Sequence, residues 1–111
     1  MLKLKEERYT NVLSPKSRIH VAFKRNQKEV VDFAVNFEIR YKKRWISVVR
    51  YDTGHHETGV RKWQFPHKHI YYRKKREVFI SMRTRDYNLA LSIAIHDIKR
   101  NFKRIKDHFF T

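Results

Sequence analysis

Val31, Phe33, Val35, Phe37, Ile39 and Tyr41 recur every second residue and alternate with Asp32, Asn36, Glu38 and Arg40, a pattern that sharply limits the fold. Successive side chains on a strand point to opposite faces, so this run is a long β-strand with one face buried and the other wet. Ile19, Val21 and Phe23 share one face of a preceding strand, with Asn26-Gln27 as the turn between the two. Tyr41-Lys42-Lys43-Arg44 turns the chain into a third strand, Trp45 to Asp52, giving an antiparallel meander. Strand character returns at about His67 to Arg73 and at Val78 to Arg83, across the basic connection Lys74-Lys75-Arg76.

From Asp86 the period changes. Leu91, Ile95, Ile98, Phe102, Ile105 and Phe109 are spaced four, three, four, three and four, the repeat of one helical face, with Asp86 as N-cap. A helix of about 23 residues would be about 35 Å long and would cover the apolar face of the Val31 to Tyr41 strand. A homodimer seam along that stripe is the competing reading of the same spacing. The expected fold class is therefore α+β, an antiparallel sheet of about five strands packed against a long C-terminal helix. Residues 18–111 are expected to form this single domain, and residues 1–17, polar and basic up to the Ser14-Pro15 break, to be loosely structured.

The 27 Lys and Arg against 11 Asp and Glu give a formal net charge of +16 on 111 residues. Ion-pair networks on a charged surface call for balanced signs, so this imbalance points instead to a polyanionic partner, RNA first. An acidic protein is compatible with the same charge. The absence of cysteine removes disulfide frameworks and thiolate zinc sites, and with them a deaminase of the usual zinc type. The two glycines, Gly54 and Gly59, make no phosphate-cradling loop. No run approaches the ~18 apolar residues of a membrane span, and the start lacks a signal-peptide core, so the expectation is a cytoplasmic protein without a membrane partner.

Four of the seven histidines, His55, His56, His67 and His69, fall between Val48 and Arg73 beside an Arg50-Tyr51-Asp52 triplet. Alternation puts His67, His69, Tyr71 and Arg73 on one strand face, and puts Arg50 and Asp52 on one face of the third strand with Tyr51 on the other. If those strands are neighbours, the groups converge, with His55 and His56 arriving from the loop. Metal-independent RNA cleavage needs a base for the 2′-hydroxyl, an acid for the leaving oxygen and a cation on the phosphoryl group. Here His67 and His69 would serve as the acid/base pair, Arg50 as the cation, Asp52 as the group orienting an imidazole, and Tyr51 or Tyr71 as a hydroxyl donor. The alternative is a zinc or manganese site on Asp52, His67 and His69, making a metal-dependent nuclease; the acid/base reading needs no cofactor.

Bland readings stand beside these. His20, His96 and His108 are expected to be surface or capping residues, and Trp63, Phe65 and Tyr72 are core or base-stacking groups, with at least one of them expected in the core. Lys42, Lys43, Arg44, Arg61, Lys62, Lys68, Arg73, Lys74, Lys75 and Arg76 are either solvated charges or phosphate contacts. A non-catalytic RNA- or DNA-binding module would show the same residues.

At RYDTGHH and the later HKH the sequence resembles the TumE family of small prokaryotic toxins, in which an Arg-Tyr-Asp element precedes a His-containing loop and a basic His-x-His element. The resemblance covers mainly Val48 to Tyr72 and singles out Arg50, Tyr51, Asp52, His67 and His69, with His55 and His56 corresponding less closely. It implies a ribonuclease-like hydrolase, the toxin of a toxin-antitoxin system, held inactive by an antitoxin, commonly of helix-turn-helix type. The chain departs from that pattern in its Lys-rich start and in the longer loop ETGVRKWQFP.

Overall fold

The computed structural model describes residues 4–53, 65–74 and 77–110. Among them the chain forms β1 (Lys5–Ser14), β2 (Ser17–Asn26), β3 (Glu29–Tyr41), β4 (Arg44–Asp52), β5 (His67–Tyr71), β6 (Glu77–Ser81) and α1 (Tyr87–Phe109). The six strands lie in one sheet in sequence order, each antiparallel to the next, and α1 packs on β3 and β4. This is an α+β fold.

Two short turns show how local chemistry sets the meander. Ser14 and Ser17 flank Pro15-Lys16 and share a hydrogen bond of 2.5 Å between their hydroxyls, while the proline presets φ for the turn. Lys42 and Lys43 both take positive φ, 52° and 64°, the left-handed pair whose twist suits a two-residue hairpin between twisted strands.

The segment expected to be loose is a strand. Residues Lys5 to Ser14 pair with β2 along its length, and Arg25 Nε donates to Glu7 at 2.5 Å across the two. Its side chains are mostly exposed, so it carries little apolar periodicity, and its pairing is supplied by β2. The sheet thus has six strands where about five were expected, and the domain takes in the N-terminal segment.

The helix face of the sheet is built from Ile19 and Val21 of β2, Phe33, Val35, Phe37 and Ile39 of β3, and Val49 and Tyr51 of β4. Ala90 and Ala94, both fully buried, lie at the helix contact, and Phe102 meets Phe37 edge to face at 6.4 Å, as Tyr87 meets Phe33 at 6.3 Å. Asp86 caps the helix by accepting from the Leu89 N–H at 3.0 Å. Asn88 accepts from the Val30 N–H at 2.8 Å and donates to the Lys28 carbonyl at 2.9 Å, tying the first turn of α1 to the β2–β3 turn.

Bulges adjust the alternation. The register between β2 and β3 slips so that Arg25 faces Val30 and Lys24 faces Asp32; Val31, expected in the buried row, is the extra residue, and Val30 packs against the core. Val48 is the extra residue of β4, between Ser47 opposite Glu38 and Val49 opposite Phe37. Beyond this bulge Val49 and Tyr51 face the helix, whereas Arg50 and Asp52 face the other side of the sheet.

Candidate functional site

That other side carries the polar chemistry. The strand registers line up two rows across it: Thr10, His20, Asn36, Arg50, His69 and Phe79 in one, Arg8, Ala22, Ala34, Asp52, His67 and Ser81 in the next. Neighbouring strands are about 4.8 Å apart, so residues from four strands come within reach of one small ligand. Between the rows lies a cleft of about 660 Å3, lined by Arg8, Lys24, Ala22, Ala34, Arg50 and Asp52 among others. Two alanines opposite each other create the depression, since every row beside them carries longer side chains.

Asp52 is the centre of the cluster at one side of this cleft. Its Oδ1 lies 3.2 Å from His67 Nε2 and its Oδ2 lies 3.3 Å from His69 Nε2. Arg50 Nε donates to the same Oδ2 at 2.9 Å. The assumed adjacency of the third strand and the His-bearing strand is thus present: Asp52 pairs with His67 and Arg50 with His69. Asp52 is 4% exposed, His67 0% and His69 6%, whereas the Arg50 side chain is 39% exposed. Arg50 is therefore the member of the cluster that meets solvent, and His67 is a buried support.

His69 is held from both ends. Its Nδ1 lies 3.1 Å from Glu77 Oε2, opposite the Asp52 contact at Nε2. Tyr71 stacks on its ring at 6.1 Å and 11°, and Phe79 meets it edge to face at 4.6 Å. Burial, then the Glu77 and Asp52 carboxylates against the opposing pull of Arg50, raises the Tyr71 pKa, so this phenol stays protonated at neutral pH and can donate.

Tyr51 and Lys68 do not join this cluster. Tyr51 points to the helix and donates from its hydroxyl to Asp97, and Lys68 Nζ reaches the same carboxylate at 3.4 Å. Burial, with Asp97 adding to it, lifts the Tyr51 pKa far above the ordinary phenol value, so the hydroxyl stays protonated and donates to Asp97 on the helix side, away from the cluster. Lys68 alternates with His67 and His69 along β5, and Tyr51 with Arg50 and Asp52 along β4, which is why both sit on the other face.

The basic turns also lie apart. Lys42 and Lys43 close the β3–β4 turn, Arg44 opens β4, and Arg73 and Lys74 follow β5 at the same end of the sheet. Eight strand positions separate Arg44 from Asp52, about 25 Å. Burial does not perturb Tyr41 there as much as its hydrogen bond with Arg73, which lowers its pKa. His55, His56, Arg61, Lys62, Trp63, Lys75 and Arg76 lie outside the described residues.

Three contributors were not expected: Glu77 is isolated in a basic segment, and Arg8 and Lys24 belong to strands whose place beside the cluster depends on the full strand order. His20 is at the surface as expected, its side chain 39% exposed, and also lines the cleft. Its Nδ1 and Thr10 Oγ1 share a 2.6 Å hydrogen bond, and its Nε2 lies 3.0 Å from Glu38, which also accepts from Arg18 at 2.8 Å. The wet parity of these residues was legible, but their register was not. The arrangement offers an exposed guanidinium, a carboxylate-bound imidazole pair and a cleft lined by charges of both signs, groups that anion binding and proton transfer use.

Residues 4–111 match the model of a family described as Domain of unknown function (DUF7718), and the chain belongs to that family. No curated protein and no solved structure matches it. Among the described residues no helix is long and apolar enough to cross a membrane.

Proposed function

We propose that this DUF7718 protein is a toxin-type endoribonuclease that binds single-stranded RNA across the open sheet face and cuts it beside Arg50, Asp52 and His69. The observation that carries the reading is the shared wall: Arg50 and Asp52 line the same cleft as Arg8 and Lys24, so the reactive cluster borders a groove that offers three basic side chains, with Glu6 and Asp32 beside them. A nucleotide over Ala22 and Ala34 would place its phosphate within reach of Arg50. Single strands fit such a cleft because an unpaired base can leave its stack and settle into the floor.

Arg50 supplies charge to the phosphoryl oxygens as the 2′-hydroxyl attacks, a transition state that gains negative charge there. His69, aligned by Asp52 and Glu77, handles a proton, and Tyr71, held as a phenol, is the candidate donor to the leaving 5′-oxygen. His67 fixes Asp52 from a position without solvent access, so its role is positioning, in place of the direct acid/base role its spacing suggested. The cytoplasmic toxin role and an antitoxin partner of helix-turn-helix type extend this proposal from the TumE resemblance, and the net charge of +16 suits both RNA and an acidic inhibitor.

The test is incubation of the purified protein with a mixed RNA pool at low salt, with Arg50→Ala and His69→Ala alongside and binding measured in parallel. Cleavage by wild type to 2′,3′-cyclic phosphate ends, lost by 100-fold or more in both variants while binding persists, is the expected result. Binding without cleavage by wild type, with each of several divalent ions supplied, would leave a non-catalytic RNA-binding module.

A further inference from the structure

The contacts of His69 pose a protonation problem. A neutral imidazole carries one N–H and one lone pair. With Glu77 at Nδ1 and Asp52 at Nε2, one of the two carboxylates would face that lone pair across about 3 Å. Arg50 Nε already donates to the Asp52 oxygen that faces Nε2, at 2.9 Å, and a metal ion between Nε2 and the carboxylate would satisfy the lone pair as well.

We infer that Asp52, His67 and His69 form a binding site for a zinc-class divalent metal ion, with Glu77 orienting His69 as a ligand. The three donor groups lie within 4.8 Å of one another. Zinc holds nitrogen and oxygen ligands at about 2.0–2.2 Å, which sets tetrahedral donors about 3.4 Å apart. The two Asp52 contacts, 3.2 Å from Oδ1 to His67 Nε2 and 3.3 Å from Oδ2 to His69 Nε2, are each close to that separation, one through each carboxylate oxygen. Both imidazoles present Nε2 to the same carboxylate, and two histidines with one carboxylate are a donor set of catalytic zinc sites, whose remaining position takes water or substrate.

Glu77 supplies the second line of argument. A metal-bound histidine commonly donates its other N–H to a carboxylate, which fixes the tautomer and strengthens the ligand. The Glu77 contact at Nδ1 leaves Nε2 as the metal-facing atom. Burial of all three groups makes the Asp52 charge costly; the half-exposed Arg50 offsets it from one side, and a cation among the donors would add to that neutralisation. The inference does not depend on RNA as substrate. If the cleavage reading holds, the ion would act beside Arg50 as a Lewis acid on the phosphoryl group.

The test uses chelator-treated full-length protein titrated with Zn2+ by calorimetry and with Co2+ by visible absorption, with no RNA present. Wild type is expected to take up one equivalent and to give an intense tetrahedral Co2+ band. Asp52→Asn and His69→Gln should each weaken Zn2+ binding at least 100-fold, and Glu77→Gln 10- to 100-fold, with His96→Gln unchanged. Because a buried variant can misfold, the wild-type imidazole 15N signals are followed as well: Zn2+ should move the Nε2 resonances of His67 and His69 and leave those of His96 in place. No stoichiometric uptake, or uptake that leaves the His67 and His69 resonances unmoved, overturns the inference. RNA cleavage by a protein that takes up no Zn2+ would leave the functional proposal standing while the metal site falls, and metal uptake without cleavage does the reverse.

Discussion

The Tyr51 hydroxyl donates to the Asp97 carboxylate, joining the inner end of β4 to the middle of α1. The same carboxylate accepts from Asn101 at 2.8 Å and from Lys68 at 3.4 Å, so one acidic group gathers a phenol, an amide and an ammonium beneath the helix. This places Tyr51 in the scaffold behind the cleft. Tyr51→Phe is expected to lower stability by about 1–2 kcal/mol, the loss of a hydrogen bond to a charged group in a partly buried site. The urea midpoint should fall with an unchanged slope, and RNA cleavage should stay within two-fold of wild type. A ten-fold loss of cleavage in a folded Tyr51→Phe protein would return Tyr51 to the reactive groups.

Asp97 also makes stability depend on acid. Burial alone would raise its pKa, but Tyr51, Lys68 and Asn101 together outweigh burial and hold it below the ordinary value of 3.8. A folded-state pKa below the unfolded one contributes stability that is complete above the unfolded value and is lost as pH falls through the folded value. Asp97→Asn should therefore be less stable than wild type at pH 7, and the gap should narrow below about pH 4. Thermal melts of both proteins from pH 7 to pH 2 test this; a gap that stays constant over the whole range would show that Asp97 acts through packing alone.

The β3–β4 turn separates charge from conformation. Lys42 and Lys43 hold positive φ, which costs a residue with a Cβ about 1 kcal/mol or more and an Asn-Gly pair much less. Lys42→Asn/Lys43→Gly is expected to raise stability by about 1 kcal/mol. Lying about 25 Å from Asp52, the pair should contribute little to affinity for a short RNA. Arg8→Ala/Lys24→Ala should weaken binding of the same oligomer and reduce the slope of log affinity against log salt by about 1 to 2. Equal slopes for wild type and the cleft variant would place the phosphates elsewhere.

How far the sequence reached depended on range. β3 and α1 were legible because each repeats its own period over a long stretch, 13 and 23 residues, and Asp86 caps the helix where the period changes. β1 was hidden because an edge strand such as KEERYTNVLS needs no apolar face and draws its hydrogen bonds from a partner already in place. Parity was enough to separate Tyr51 and Lys68 from His67 and His69. It was not enough to bring Arg8, His20 or Lys24 beside Arg50, because that requires the order of four strands and the bulges at Val31 and Val48. Glu77 reached His69 only through the β5–β6 pairing, a tertiary fact with no local signature.

Ala22 and Ala34 offer a way to test the cleft without touching a charge or a ligand. They lie directly opposite each other on β2 and β3, and Ala34 is paired on its other side with Asp52. Both are half-buried at the cleft floor, so a larger side chain can rise into open space without repacking the core beneath the sheet. Leucine adds three carbons, enough to raise the floor where a base would lie, and β2 tolerates a branched apolar residue. Ala22→Leu is therefore expected to keep the stability of wild type within about 1 kcal/mol, as surface substitutions in strands do. Zn2+ uptake at Asp52, His67 and His69 should remain intact. Binding and cleavage of single-stranded RNA should fall at least ten-fold, read by oligomer titration and single-turnover cleavage on the same preparation. Undiminished cleavage by a folded Ala22→Leu protein would mean that RNA approaches Arg50 from another side of the sheet.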